Sequence, residues 1–125
     1  MKKELQLCSF EQAQRLKKAG FDWEVGECYF EYDKRLGTGY KATNHNFQDS
    51  RCRSVSAPTV ALALKWIRDE KGIVNCIKRD FEYSEIPVYL GQFKDMYITD
   101  YGYDTYEEAE SALLDELLNI LEKSL

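Results

Sequence analysis

Three stretches of this chain repeat apolar residues at helical spacing and carry the punctuation that starts and stops a helix. In the first, Ser9 precedes Phe10, Ala13, Leu16 and Ala19, Gln12 completes a capping box, and Gly20 stands where a left-handed stop is wanted. In the second, Ser56 or Thr59 supplies the cap and Pro58 sits where a missing N–H does no harm. Val60, Ala61, Leu64 and Ile67 then recur before Gly72, and Trp66 broadens the apolar face. The third begins at Asp104 or Thr105, where Thr105 and Glu108 form another capping box and Glu107, Glu108 and Glu110 suit the positive end of the helix dipole. Ala109, Ala112, Leu113, Leu117, Ile120 and Leu121 form its stripe, and Leu114, Leu118 and Leu125 widen it beyond the needs of a lone surface helix. Such a helix is either deeply packed or shared with a partner.

Between the helices the residues turn aromatic and β-branched. Cys28, Phe30 and Tyr32 alternate with Tyr29, Glu31 and Asp33, and Gly37-Thr38-Gly39 offers a turn into Tyr40, so a hairpin is expected there. A second hairpin is expected from Val88 to Phe93 and Met96 to Tyr101 around Lys94-Asp95, with Ile73 to Ile77 as an additional strand and Pro87 marking a strand start or edge. Residues 42 to 56 form a polar loop holding Asn44, His45, Asn46, Gln48, Asp49, Ser50 and Arg51. The order α-β-β-α-β-β-α points to an α+β fold: an antiparallel sheet of two hairpins with three helices packed mainly on one face.

At 125 residues, 44% hydrophobic and 31% charged, the chain fits a single globular domain spanning residues 1 to 125. The longest apolar run, Val60 to Leu64, is too short to cross a bilayer, and Met1 to Gln6 lacks a signal core, so a cytoplasmic protein with reduced thiols is expected.

Charge changes this picture, because it is sorted along the sequence. Residues 34 to 79 hold ten Lys and Arg against three acids, whereas residues 80 to 125 hold two against twelve. Part of the acid serves the dipole and solvent face of the third helix, and part of the base serves the outer face of the second. What is left is a local basic cluster: Lys34, Arg35, Lys41, Arg51 and Arg53 surround Tyr40, His45 and Phe47, placing cations for phosphates near rings for bases. The acidic overall balance weighs against nucleic acid, and the acid-rich third raises the opposite idea of a DNA mimic, although most of its carboxylates fit a solvated helix face.

Tyr97, Tyr101, Tyr103 and Tyr106 form the remaining cluster, and strand alternation puts Thr99 with Tyr97, Tyr101 and Tyr103 on one face. With Leu114 and Leu118 they are the candidates for a protein interface; the competing reading has helices covering the same rings.

Catalytic equipment is sparse. His45 is the only histidine, so a near-neutral proton shuttle must use it or a retuned carboxylate, lysine or cysteine, and one candidate is a Cys52/His45 nucleophile and base oriented by Asp49, against the plainer reading of a surface histidine and half-buried thiol. Cys28, His45, Cys52 and Cys76 match a zinc donor set in type and not in spacing, so no metal is assigned. Gly37-Thr38-Gly39 lacks both the Lys-Ser/Thr of a P-loop and the third glycine of a dinucleotide fingerprint, and no cofactor is assigned.

The segments Leu7-Cys8-Ser9-Phe10-Glu11-Gln12-Ala13, Gly20-Phe21-Asp22-Trp23, Ser56-Ala57-Pro58-Thr59, Lys65-Trp66-Ile67-Arg68 and Tyr106-Glu107-Glu108-Ala109 resemble a family of short proteins of Bacteroides-type genomes and their prophages. The resemblance touches most of the chain and implies a small bacterial cytoplasmic protein of the kind mobile elements carry. It brings no activity and no site residues. The expectation is therefore a non-enzymatic protein-interaction module, an accessory protein of a phage or mobile element that meets another protein or a second copy of itself as a homodimer. Nucleic-acid binding through residues 34 to 53 is the alternative.

Overall fold

The computed structural model describes residues 5–46, 53–80, 88–93, 96–97 and 103–123, with the side chains of 79, 80, 88, 90, 93, 96 and 97 outside that description. The elements follow in the order α1 (Phe10–Ala19), β1 (Cys28–Phe30), β2 (Leu36–Gly37), β3 (Ser54–Ser56), α2 (Val60–Lys71), β4 (Asn75–Asp80), β5 (Val88–Phe93), β6 (Met96–Tyr97) and α3 (Tyr106–Lys123). The class is α+β. Its strands form two antiparallel sheets, β2-β1-β3 and β4-β5-β6, where one sheet of two hairpins was expected. Each sheet has a third strand: β3 comes unexpectedly from the polar loop, and β4 is the strand expected after α2, its bounds shifted from 73–77 to Asn75–Asp80.

Local chemistry sets the helix ends. Ser9 Oγ accepts from the Gln12 N–H at 3.1 Å while Gln12 Oε1 accepts from the Ser9 N–H at 3.0 Å, and Gly20 closes α1 at φ 101°. Thr59 caps α2, accepting from the Leu62 N–H at 3.1 Å; Ser56, the other candidate, is buried and accepts from the His45 N–H instead. Thr105 caps α3 by accepting from the Glu108 N–H at 3.1 Å, and its hydroxyl meets the Glu108 carboxylate at 3.0 Å.

The first hairpin turns earlier than the glycines suggest. Cys28 pairs with Gly37 and Tyr29 with Leu36, so the chain reverses through residues 31 to 35, where Lys34 takes φ 60°. Gly37 lies within β2, where a Cβ would stand 2.6 Å from the Tyr40 ring and 3.0 Å from the Phe30 ring, so only glycine fits without moving them. In the second sheet β4 and β5 pair over six residues, from Asn75 opposite Phe93 to Asp80 opposite Val88.

All three helices share one core. Leu16 and Ala19 of α1, Val60, Ala63, Leu64, Trp66 and Ile67 of α2, and Leu113, Leu114, Leu117, Leu118 and Leu121 of α3 cluster with Cys8, Phe21 and Val25. α1 and α2 both pack on α3; α1 also touches β3, and α3 lies against β4 and β5. Each fully buried leucine contributes about 1.5–3 kcal/mol of transfer free energy, so this cluster dominates stability. Among the described residues no helix is long and apolar enough to cross a membrane.

The breadth of α3 has a direct consequence. Leu114 and Leu118 are both 0% exposed, enclosed by the protein's own helices and second sheet. They are not interface residues, because a helix clasped by α1, α2 and a sheet needs apolar side chains around more of its circumference than a surface helix does.

Candidate nucleic-acid interface

Of the basic residues singled out in the sequence, Lys34, Arg35 and Arg53 lie beside the first sheet. In the β1–β2 turn, Asp33 Oδ1 accepts from the Arg35 N–H at 3.0 Å, and the Lys34 N–H donates to the Phe30 carbonyl at 2.7 Å. That local bonding throws the Tyr32 ring outward until it is 94% exposed. The two adjacent cations are seated on aromatic faces: Lys34 Nζ stands 5.5 Å from the Phe10 ring centre and the Arg35 guanidinium 5.3 Å from that of Phe30. Phe10 packs edge-on to Tyr29, whose hydroxyl donates to the Cys8 carbonyl at 2.6 Å, tying the turn to the start of α1. Burial, then the nearby Cys8 and Glu11, raises the Tyr29 pKa, so this hydroxyl stays a donor.

Tyr40 extends the aromatic surface. Its ring meets Phe30 and His45 edge-to-face at 6.4 and 5.9 Å and remains 48% exposed. His45 is held by its backbone: its N–H donates to Ser56 Oγ at 3.0 Å and its carbonyl accepts from Ser54 Oγ at 2.7 Å. The loop is anchored further by Asn46, whose side chain donates to the Phe21 carbonyl and accepts from the Ser56 N–H, both at 2.8 Å. His45 Nε2 is buried and meets no hydrogen-bond partner among the described residues.

Lys41 and Arg53 are exposed, and the Arg53 carbonyl accepts from the Glu31 N–H at 3.2 Å, which brings this residue alongside the turn. Lys17 and Lys18, in the last turn of α1, line an open groove of about 350 Å3 with Gln14 and Glu31. Lys17 Nζ bonds Glu31 Oε1 at 3.0 Å and the Ser54 carbonyl at 3.2 Å. Sequence reading assigned these two lysines to no site; the clue was basic residues beside the helix stop, which the helix dipole already explained. Carboxylates partly offset the face, since Glu31 holds Lys17 and Asp33 lies 3.9 Å from Arg35, while Lys34, Lys41 and Arg53 close no ion pair among the described residues. Arg51 and Phe47 lie outside the described residues.

The tyrosine cluster divides. Tyr89 and Tyr103 exchange two backbone hydrogen bonds of 2.9 Å, and the Tyr89 ring meets Tyr106 edge-on at 5.8 Å. Tyr103 is half-buried and Tyr106 45% exposed; Tyr97 pairs with Gln92 at the end of β6, and Tyr101 lies outside the described residues.

Cys52 and Asp49 also lie outside the described residues, so His45 is the described member of that trio. Among the described residues no three His, Cys, Asp or Glu side chains gather to hold a metal; Cys28 is buried at the first sheet and Cys76 exposed on the second. Compared with models of protein families, with characterised proteins and with solved structures, the chain matches none of them.

Proposed function

We propose that this protein binds single-stranded nucleic acid through the β1–β2 hairpin and the loop that follows it, acting by binding and not by catalysis. The observation that carries this assignment is Tyr32, a ring 94% exposed at a turn whose neighbours Lys34 and Arg35 are held on Phe10 and Phe30. An exposed ring offers a base a stacking partner worth about 1–3 kcal/mol, and flanking cations neutralise the phosphates on either side of it. Tyr40, 48% exposed, adds a second ring, and Lys41, Arg53 and Lys18 add exposed cations. Isolated rings among charges favour a strand with free bases over a protein partner, which would need a contiguous desolvated centre. An accessory role on a phage or mobile element, where single strands arise during replication and transfer, agrees with the resemblance of the sequence.

The test is fluorescence anisotropy with labelled oligo-dT, oligo-U and a duplex of equal length. Single strands should bind at low salt, more tightly than the duplex, with affinity falling as salt rises by the exponent of about three to five neutralised phosphates. No single-strand binding at low salt defeats the proposal. Binding to an acidic protein in place of oligonucleotide would transfer the same surface to the protein-interaction reading, for which Tyr103 and Tyr106 remain the placed candidates.

A further inference from the structure

On the second sheet, remote in chain order from the hairpin, α2, β4 and α3 enclose a cleft of about 140 Å3 lined by Arg68, Asn75, Cys76, Tyr106 and Glu110 over an apolar floor that includes Leu64 and Leu113. We propose that this cleft binds a small zwitterion of the α-amino acid class, with the ligand's carboxylate on Arg68 and its ammonium on Glu110.

Arg68 is aimed by a buried residue. Asn75 is 4% exposed, and its Nδ2 donates to the carbonyls of Leu64 at 3.3 Å and Ile73 at 3.1 Å, which fixes the amide. Its Oδ1 then accepts from Arg68 Nη1 at 2.9 Å, spending one guanidinium donor on orientation and leaving the others for a ligand. Glu110 lines the same cleft, yet the two charges do not close a salt bridge. Burial, and then Glu107, raises the Glu110 pKa while Arg68 opposes the rise, as expected of a carboxylate that faces a cation without reaching it. Opposite charges held apart across one cavity form the complement of a molecule carrying both charges a short distance apart.

Size and chemistry narrow the ligand. At about 30 Å3 per water the volume matches about five waters, which suits a molecule of roughly five to seven heavy atoms such as glycine, alanine or serine. The Tyr106 hydroxyl, kept protonated by burial and by Glu110, supplies a further hydrogen-bonding group. Cys76, whose thiol is 3.6 Å from Gln92 Oε1, forms part of the wall.

Titration of the full-length 15N-labelled protein with glycine, L-alanine, acetate and methylammonium tests this. Glycine and L-alanine should give saturable shifts centred on the Asn75, Cys76 and Glu110 amides, with acetate and methylammonium at least about tenfold weaker because each engages one end only. Arg68→Met and Glu110→Gln should each weaken amino-acid binding about tenfold or more while leaving the remaining spectrum in place. If Arg68→Met fails to fold because Asn75 loses its partner, Glu110→Gln decides alone, and unchanged affinity there refutes the site. Absence of saturable shifts at about 10 mM ligand, or acetate binding as well as L-alanine, also overturns it.

Discussion

Gln12 Nε2 donates to Asp115 Oδ1 at 3.0 Å, so the residue that closes the capping box of α1 also fastens that helix to α3. The same nitrogen reaches Ser111 Oγ at 3.1 Å and the Ser111 carbonyl at 3.3 Å, and the side chain is 5% exposed. Gln12→Ala removes the side-chain half of the capping box and the polar tie to α3 together, while the exposed Asp115 carboxylate stays solvated beside Arg15. Urea denaturation should show a loss of about 1–2 kcal/mol, as expected of two net hydrogen bonds of about 0.5–1.5 kcal/mol each.

Leu114 and Leu118 give a second outcome. Leu114→Ala should cost about 2–5 kcal/mol through the cavity it leaves, and Leu118→Asp should yield unfolded protein. Neither would convert a dimer into folded monomers, and light scattering beside circular dichroism separates the two outcomes.

The helices were legible in the sequence because their signals are local: a cap and its target lie within a turn of each other, as with Ser9 and Gln12 or Thr59 and Leu62. The width of the α3 stripe was equally visible, but what covers it depends on α1, α2 and the second sheet, which no local pattern encodes. The hairpin was displaced for a related reason. Gly37 resembles a turn residue, whereas its small size serves the rings of Phe30 and Tyr40; the true turn uses Lys34, whose left-handed backbone leaves no mark in the sequence. Of the candidate interface, the cations from Lys34 to Arg53 could be read from their order along the chain, while Lys17 meets Glu31 and the Ser54 carbonyl only through folding.

Cys8 predicts a pH dependence. Burial, with a smaller contribution from Asp115, pushes its pKa from 9.0 to about 12. The raised value means the folded state keeps a proton that the unfolded chain gives up. Its stabilising effect is therefore complete below pH 9.0 and lost as pH rises toward about 12, at about 1.4 kcal/mol per pH unit in that window. Stability curves for the protein and Cys8→Ala should run parallel below this range and diverge in slope within it. In the native state iodoacetamide should modify exposed Cys76 and spare Cys8 and Cys28, as peptide mapping would show.

The hairpin makes separable predictions. Tyr32→Ala should weaken oligonucleotide binding by about 1–3 kcal/mol with an unchanged salt exponent, since it removes stacking alone. Lys34→Gln should instead lower that exponent by about one. Gly37→Ala would push the Tyr40 ring off Phe30, shifting the Tyr40 ring resonances and weakening binding without touching a charge.

At Lys34 the backbone takes φ 60°, a conformation that costs a side-chain-bearing residue about 1 kcal/mol more than glycine. A protein selected for stability alone would carry glycine there. Lys34→Gly should accordingly raise the melting temperature while weakening the grip on a single strand, so thermal tolerance and affinity are set against each other at one residue. Any screen that rewards heat resistance alone would drift toward glycine at this turn and discard the ammonium group.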